Sequence, residues 1–141
     1  MPVVDLKRGD VDLLSRLVWA EARSESFEGQ CAVVWVVINR LRRESGRFPK
    51  TIAGIVKAPF AFSCFNTSDP QCARTKTIDE RDTAFVEATY AVTSVLTGRV
   101  EDPTLGSDHY YLSRMAKPPP WRKSMKLMAI IGAHSFLSEK L

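Results

Sequence analysis

The chain has 141 residues, 45% of them hydrophobic, and its 20 Lys and Arg exceed its 16 Asp and Glu to give a formal net charge of +4. This length buries an ordinary core as one domain, and the three cysteines lack zinc-ligand spacing. The longest apolar run, 31–38, is too short to span a membrane, and the acidic start of the chain is unlike a secretory signal peptide. We therefore expect a single monomeric domain over residues 1–141 with no integral membrane segment.

The first predicted helix carries a carboxylate on its apolar face. After a loose lead-in over residues 1–9, Asp10 is expected to cap a helix that reaches about Arg23. Helical spacing puts four apolar residues on one stripe: Val11, Leu14, Leu17 and Val18. The next residue due on that stripe is Glu21. Because burying an unpaired carboxylate is costly, Glu21 is either paired with an arginine, turned toward water, or placed on a cleft wall as a general acid with a raised pKa.

The second predicted helix runs from Glu28 to about Arg43 and forms the centre of the expected core. Its interior, 32–38, is apolar all round, and its length and polar ends favour a helix over a strand. Gln30 and Asn39 lie near its two ends, about 90° apart around the axis. They either fix a cleft wall by hydrogen bonds or are ordinary polar residues at helix ends.

The middle of the chain predicts a short helix, an aromatic segment and a loop. Thr51 is expected to cap a helix that reaches Lys57. Segment 60–65 contains three phenylalanines, which either fill the core under a loop or form an apolar surface for a ligand. Residues 66–74 are expected to form a polar loop. In an oxidising compartment a disulfide between residues 64 and 72 would be possible.

A long third helix is predicted next. Thr77 and Glu80 have the spacing of a capping box, which predicts a helix over about 78–97. Gly98 is expected to end this helix as the residue after its C-cap.

The last third of the chain predicts the β-structure. Residues 108–112 are short and aromatic, residues 128–137 are mostly apolar, and we expect the two segments to pair as a small antiparallel hairpin. Between them the proline run 118–120 breaks up the chain. The predicted fold class is therefore α+β and mainly helical.

Three kinds of chemistry are open from the residues alone. His109 and His134 could serve a metallopeptidase, but they lack the spacing of a paired-histidine motif. Cys64 with one of these histidines could be a nucleophile, although no local signature supports it. The positive charge suits an anionic polymer such as nucleic acid, an acidic cell envelope or anionic lipid. Five cations near the end of the second helix form either a nucleic-acid patch or a solvated helix end: Arg40, Arg42, Arg43, Arg47 and Lys50.

A series of sequence blocks resembles the SleB-like cell wall hydrolases, the family of the spore-cortex-lytic enzyme. The first blocks are Trp19-Ala20-Glu21-Ala22-Arg23 and Glu28-Gly29-Gln30, followed by the run to Asn39-Arg40. The resemblance spans roughly residues 14–137 and continues through 48–52, 59–65, 108–111, 120–121 and 131–136. The chain departs from the usual family pattern at Ser24, Ser26, Ala61 and Leu137. Of these, Ala61 bears on a hydrogen bond to substrate and not on the chemistry.

The resemblance implies a lysozyme-like domain with a small antiparallel hairpin beside a glycan-binding cleft. Family members cleave peptidoglycan between N-acetylmuramic acid and N-acetylglucosamine, and the position of their catalytic glutamate falls on Glu21. As a lytic transglycosylase, the chain would use Glu21 first as acid and then as base, without a second carboxylate. One alternative is a hydrolytic muramidase, whose second carboxylate would be Asp69, Asp79 or Asp108. The other is a non-catalytic basic module that binds the envelope or nucleic acid.

Seven further residues are expected at the substrate: Gln30, Asn39, Phe62, Ser63, His109, Tyr110 and Trp121. Phe62 and Trp121 would stack on sugar rings, and Ser63 and Tyr110 would hydrogen-bond its N-acetyl or hydroxyl groups. His109 is expected to be a structural hydrogen-bonding residue beside the cleft.

The resemblance also sets expectations about the surroundings of the protein. We expect no metal and no cofactor, and a glycan strand of peptidoglycan rather than nucleic acid as the partner. Without a signal peptide, we expect a phage or prophage endolysin-like protein that acts on the bacterial wall in the periplasm or envelope. It would reach the wall through a holin, with a virion or by another non-classical route.

Overall fold

The computed structural model describes residues 3–44, 46–58, 62–65 and 69–139. Its α-helices are α1 (Asp10–Ala22), α2 (Phe27–Arg42), α3 (Ile52–Val56), α4 (Cys72–Thr77) and α5 (Thr83–Leu96). Its strands are β1 (His109–Leu112), β2 (Met125–Ile131) and β3 (His134–Glu139), and two 3-10 turns cover Ser63–Phe65 and Pro120–Ser124. Within these described ranges, no helix combines the length and apolar character needed to cross a bilayer. The mainly helical α+β class is confirmed.

Helix α2 is the centre of the core because it is apolar on every side. Every residue of segment 31–38 is buried. Helices α1 and α5 pack against it, and the predicted stripe of α1 points into this shared core through Leu14, Leu17 and Val18, all fully buried. Burying one such side chain contributes roughly 1.5–3 kcal/mol. The hydrophobic interior therefore fixes the direction of α1 and of the carboxylate at its end.

The three strands form one antiparallel sheet in the order β1-β3-β2. The central strand β3 pairs with β1 through contacts such as Tyr110 opposite Phe136. A turn at Gly132 and Ala133 joins β2 to β3, with Gly132 at a positive φ of 56°. A small cluster holds the sheet on α2: Ala32, Val36, Ile131 and Phe136.

The predicted hairpin is therefore wrong in its topology. Segment 128–137 is not one strand, because the turn at 132–133 divides it between β2 and β3. Segment 108–112 does pair with part of it, since β1 lies beside β3. Within the apolar segment 128–137, Gly132 is the one local sign of this turn in the sequence.

Two helix starts also differ from the prediction. Gly9, at a φ of 89°, is the N-cap of α1, and Asp10 lies in the first turn, where its carboxylate accepts a hydrogen bond from the Lys7 amide at 2.7 Å. Asp82 rather than Thr77 caps the helix α5, and its carboxylate accepts from the Phe85 amide at 3.1 Å. The capping-box prediction failed because Thr77 is the last residue of α4 and Glu80 lies in the link between α4 and α5. The spacing of a capping box thus also occurs where one helix ends before the next begins.

Other expectations for local structure fare unevenly. The caps at Thr51 and Gly98 are confirmed. Part of the predicted loop 66–74 belongs to α4, and residues 66–68 lie outside the described residues. The lead-in is tied down, since the Val3 amide donates to the Leu96 carbonyl at 2.8 Å. All three cysteines are free, so the possible disulfide between residues 64 and 72 is not formed.

Ser26 offers a test of how α2 begins. Its hydroxyl oxygen accepts from the Gly29 amide at 3.2 Å as the N-cap. Ser26→Ala removes this acceptor and is expected to lower the free energy of unfolding by about 1 kcal/mol, measured as a lower urea midpoint at unchanged slope. Ser24→Ala is the matched control, because Ser24 is exposed, and its effect should stay within about 0.5 kcal/mol. Equal losses in the two variants would contradict the capping role.

Candidate active site

A cleft of about 740 Å³ separates the end of α1 from the sheet. Five of the residues predicted at the site line it: Glu21, Phe62, His109, Tyr110 and Trp121. The other lining residues were not predicted to contact substrate: Ala20, Arg40, Phe48, Tyr111, Leu112, Met115, Pro119 and His134. Among the residues that the structure describes, the cleft is thus a groove with aromatic walls and one carboxylate.

Glu21 is the carboxylate of the cleft, at the last turn of α1. It is half-buried, and burial raises the pKa of its carboxyl group above the usual value. The negative charge of Asp69 acts in the same direction, whereas contacts from the Cys64 thiol and the Tyr110 hydroxyl oppose it. Its place at the C-terminal end of a helix also disfavours the charged form. Glu21 therefore has the electrostatic character of a general acid.

Cys64 acts as a neighbour of Glu21 rather than as a nucleophile. Burial and the charge of Glu21 raise the pKa of the Cys64 thiol well above its usual range. The thiolate is the nucleophilic form of cysteine, and this environment suppresses it. The arrangement therefore removes the cysteine-nucleophile alternative.

The Tyr110 hydroxyl lies beside Glu21. Burial and the charge of Glu21 raise the pKa of Tyr110 well above its usual value, so the hydroxyl keeps its proton. No described residue meets this hydroxyl with complete hydrogen-bond geometry. The ring is held edge-on against His134, with ring centroids 5.1 Å apart. Tyr110 thus offers a fixed donor to the carboxylate or to a ligand in the cleft.

Arg40 is the cation of the cleft lining. From the sequence, it was expected either in a nucleic-acid patch or at a solvated helix end. It is 9% exposed, and its Nε donates to the Asp108 carbonyl at 2.7 Å. The guanidinium lies 5.1 Å from the ring centroid of Phe62 and 5.3 Å from that of Phe48. Phe62 is itself 4% exposed, so within the cleft wall it mainly supports Arg40.

The remaining basic residues near the end of α2 are engaged within the protein. Arg43 pairs with the buried carboxylate of Asp108 at 2.9 Å, and Arg47 pairs with Glu139 at 2.9 Å. Lys50 donates to the carbonyl of Arg43 at 2.8 Å. These partners turn the predicted basic cluster into a structural network, which does not favour a nucleic-acid patch.

One group of possible metal ligands lies among the described residues, formed by Asp108, His109 and Glu139. Burial alone would raise the pKa of Asp108, but hydrogen bonding to His109 at 2.8 Å and the charge of Arg43 lower it below its usual value. Arg43 and Arg47 already neutralise the carboxylates of this group. A metal cation would therefore have to displace these arginines. His134 does not belong to this group, so in the described part of the chain the two histidines of the metallopeptidase alternative share no cluster of three ligands.

His134 joins the cleft to the turn between α1 and α2. Burial lowers the pKa of His134, and the nearby Glu25 carboxylate opposes this shift. The same carboxylate accepts from the Ala133 amide at 2.8 Å. A Cβ at Gly132 would lie 2.5 Å from the Glu25 carboxylate oxygen, so a larger residue would displace this carboxylate as well as strain a turn with a positive φ of 56°. Glu25, which the sequence gave no reason to select, thus fastens the sheet beside Glu21.

Gln30 and Asn39 lie outside the cleft lining. The Gln30 amide donates to the Ala22 carbonyl at 3.2 Å and so holds the end of α1, directly after Glu21. Asn39 donates to the Asp102 carboxylate and to the Ser107 carbonyl, both at 2.9 Å, and so holds the segment before β1. Ser63 lies in a 3-10 turn, while its side chain and Ala61 lie outside the described residues.

None of the three candidates for a second catalytic carboxylate lines the cleft. Asp108 is fully buried in its pair with Arg43, and Asp79 pairs with Arg81 at 2.6 Å. Asp69 accepts from the Gln71 amide at 2.7 Å. Within the described part of the chain, Glu21 is the one carboxylate on the cleft wall.

A family model described as Cell Wall Hydrolase matches residues 24–137. The chain belongs to the cell wall hydrolase family. The matched range begins three residues after Glu21 and therefore does not include it. The evidence for a catalytic role of Glu21 is its position in the cleft.

Relatives of this cell wall hydrolase support the predicted resemblance. The spore cortex-lytic enzyme of Halalkalibacterium halodurans is 34% identical over 127 residues, which cover 90% of this chain and 34% of that protein. The chain thus spans about a third of the length of this relative. The resemblance to the SleB-like family is confirmed.

Two solved structures share the fold. The catalytic domain of Bacillus cereus SleB has a TM-score of 0.75 and 26% identity, covering 95% of this chain and 93% of that one. The catalytic domain of the germination-specific lytic transglycosylase SleB from Bacillus anthracis has a TM-score of 0.75 and 28% identity, covering 98% and 100%. These domains match the whole mainly helical α+β architecture.

The raised pKa of Glu21 predicts a pH-dependent difference in stability. As pH rises above the ordinary glutamate pKa of about 4.3, the unfolded chain releases its proton before the folded chain does, so the wild type loses stability. Glu21→Gln mimics the protonated form and should therefore unfold at higher urea concentration than wild type at neutral pH. The difference should grow as pH rises from about 4 to the folded-state pKa and then level off.

The exposed residue Glu28 supplies the control for this measurement. The stability of Glu28→Gln should follow that of wild type across the pH range. A constant offset for Glu21→Gln at every pH would contradict a raised pKa at Glu21.

Proposed function

We propose that this cell wall hydrolase cleaves peptidoglycan glycan strands between N-acetylmuramic acid and N-acetylglucosamine, as a lytic transglycosylase with Glu21 as acid and base. The observation that carries the proposal is Glu21, the one carboxylate that the described residues place on the wall of the aromatic cleft, with a raised pKa. The similarity to the catalytic domain of the germination-specific lytic transglycosylase SleB from Bacillus anthracis supports the same reaction. The bacterial cell wall is therefore the proposed place of action.

The reaction begins with the proton that burial keeps on Glu21. Glu21 gives this proton to the glycosidic oxygen, the bond from that oxygen to C1 of the muramic residue breaks, and positive charge develops at C1. The resulting carboxylate then takes the proton of the muramic 6-hydroxyl. The 6-oxygen bonds to C1 and closes a 1,6-anhydro ring, which consumes no water and returns the proton to Glu21. This route requires one carboxylate, whereas hydrolysis with two would need a partner on the opposite side of the sugar.

Other cleft residues would hold the sugar and the catalytic group. Trp121 is 37% exposed and has the ring of His109 at 5.0 Å and that of Tyr111 at 6.1 Å, so it offers a supported stacking surface. Arg40 would donate to sugar oxygens from its place over Phe62. Tyr110 would keep Glu21 in position and would donate to the substrate when the carboxyl is protonated.

The direct test is digestion of purified peptidoglycan by wild type and Glu21→Gln, with mass spectrometry of the released muropeptides. Gln keeps the size of Glu but cannot donate the proton, so we expect 1,6-anhydromuramic products from wild type and at least about a thousandfold less from the variant. Glu28→Gln, which changes an exposed carboxylate, should release the wild-type products at the wild-type rate.

Each other outcome assigns a different function. Reducing muramic ends from wild type would replace transglycosylation by hydrolysis and call for a second carboxylate. A folded Glu21→Gln with full activity would remove Glu21 from the chemistry. If neither protein cuts glycan, the domain is a binding module.

Tyr110→Phe tests the contact between the hydroxyl and Glu21 through the pH profile. Activity requires protonated Glu21, so kcat/KM falls as pH rises through its raised pKa. Because the hydroxyl lowers that pKa, its removal should move the alkaline limb of kcat/KM to higher pH. Tyr111→Phe, which alters a cleft tyrosine that does not affect the Glu21 pKa, should leave the limb in place. A changed KM with an unmoved limb in Tyr110→Phe would assign the hydroxyl to sugar binding alone.

A further inference from the structure

A second depression lies next to the cleft at the end of the sheet. This depression has a volume of about 620 Å³, and it shares two of its lining residues, Leu112 and Met115, with the cleft. Its far side is formed by Ile130 and the turn between β2 and β3. Because Leu112 and Met115 line both, a ligand in the cleft lies next to the second depression.

The second depression combines exposed apolar side chains with one cation. Leu112 is 52% exposed, Met115 41% and Ile130 64%. Arg114 is its one charged lining residue, and within the described chain Arg114 forms no ion pair. Its described lining contains neither an aromatic plane nor a carboxylate, the groups that would bind another sugar. Its chemistry instead fits a small group with alkyl parts and a free carboxylate.

The charge of the surrounding segment points to the same kind of ligand. Residues 109–138 contain five Lys and Arg and no Asp or Glu. The formal positive charge of this segment alone therefore exceeds the +4 charge of the whole chain. Among the described residues none of these five cations has an ionic partner. The Nε of Arg122, next to Trp121, is buried without a hydrogen-bond partner. The protein therefore presents unneutralised positive charge along this side of the cleft, where it attracts anions.

We propose that the second depression binds the stem peptide carried by the muramic residue of the substrate. Arg114 binds a carboxylate of the peptide. The alanine methyl groups of the peptide pack against Leu112, Met115 and Ile130. This assignment rests on the proposed function, because the peptide must hang from a sugar held in the cleft. The enzyme then prefers glycan strands that carry anionic peptides over strands from which the peptides have been removed.

Binding to the inactive Glu21→Gln protein tests the proposal without cleavage. Glu21→Gln is titrated by calorimetry with the disaccharide N-acetylglucosaminyl-N-acetylmuramic acid and with the same disaccharide carrying a tetrapeptide. We expect the tetrapeptide form to bind about fivefold to tenfold more tightly. Adding Arg114→Gln should bring the two ligands to equal affinity, because the carboxylate loses its partner.

The exposed Arg99, which lines neither the cleft nor the second depression, gives the matched control for loss of one positive charge. Adding Arg99→Gln to the same background should leave both affinities and their ratio unchanged. Equal affinity for the two ligands, absence of binding, or a preference that survives Arg114→Gln would overturn the proposal.

Cleavage by the active enzyme separates this proposal from the proposed function. Wild type should digest intact sacculi faster than strands stripped by an amidase, and Arg114→Gln should lose this preference while retaining its rate on stripped strands. Loss of both rates in a folded Arg114→Gln would overturn the peptide site. Absence of any cleavage by wild type would refute the proposed function, whereas the binding comparison would still decide the peptide site.

Discussion

Helix α2 has no polar face, and this constraint organises the molecule. A helix that is apolar all round must be covered on every side, and α1, α5 and the small sheet provide that cover. The sheet attaches to α2 through few residues, chiefly Ile131 and Phe136. The space left between the sheet and the end of α1 is the cleft. The core thus creates the site, and the stripe of α1 that helps to fill the core delivers Glu21 to its wall.

Polar contacts then fix the parts that the hydrophobic core leaves free. Asn39 and Arg40 at the end of α2 donate to the carbonyls of Ser107 and Asp108, the two residues directly before β1. Glu25 binds the turn between β2 and β3 through the Ala133 amide. The sheet is therefore held at both ends, and Tyr110 lies between these attachments. Such fixed geometry suits a reaction in which one carboxyl group must serve two different atoms in succession.

Local periodicity predicted the central helix and placed Glu21 at the end of the apolar stripe of α1, whereas the catalytic role of Glu21 came from the family resemblance. The apolar stripe has its own spacing, and a carboxylate interrupts it at a definite position. The same local reasoning misplaced the start of α5, since Thr77 is the last residue of α4 and Asp82 is the N-cap of α5. It also missed the division of segment 128–137, where a single glycine marks the turn.

The rest of the site depends on contacts between residues distant in sequence. Arg40 donates a hydrogen bond to the Asp108 carbonyl, 68 positions away in sequence. Glu25 accepts one from the Ala133 amide, 108 positions away. Spacing within a helix carries no information about such partners. Gln30 and Asn39 illustrate the intermediate case, because their polar character at the ends of α2 was visible while their backbone partners were not.

The cysteines have a consequence for the chemical durability of the protein. All three are free and buried, burial raises the pKa of Cys31 to about 11, and the thiol beside Glu21 is held protonated still more strongly. Oxidants react with the thiolate form, which these two residues scarcely populate at neutral pH. The fold therefore shields thiols from peroxide and from mixed-disulfide formation, and it does so without the cross-links on which many small extracellular domains depend.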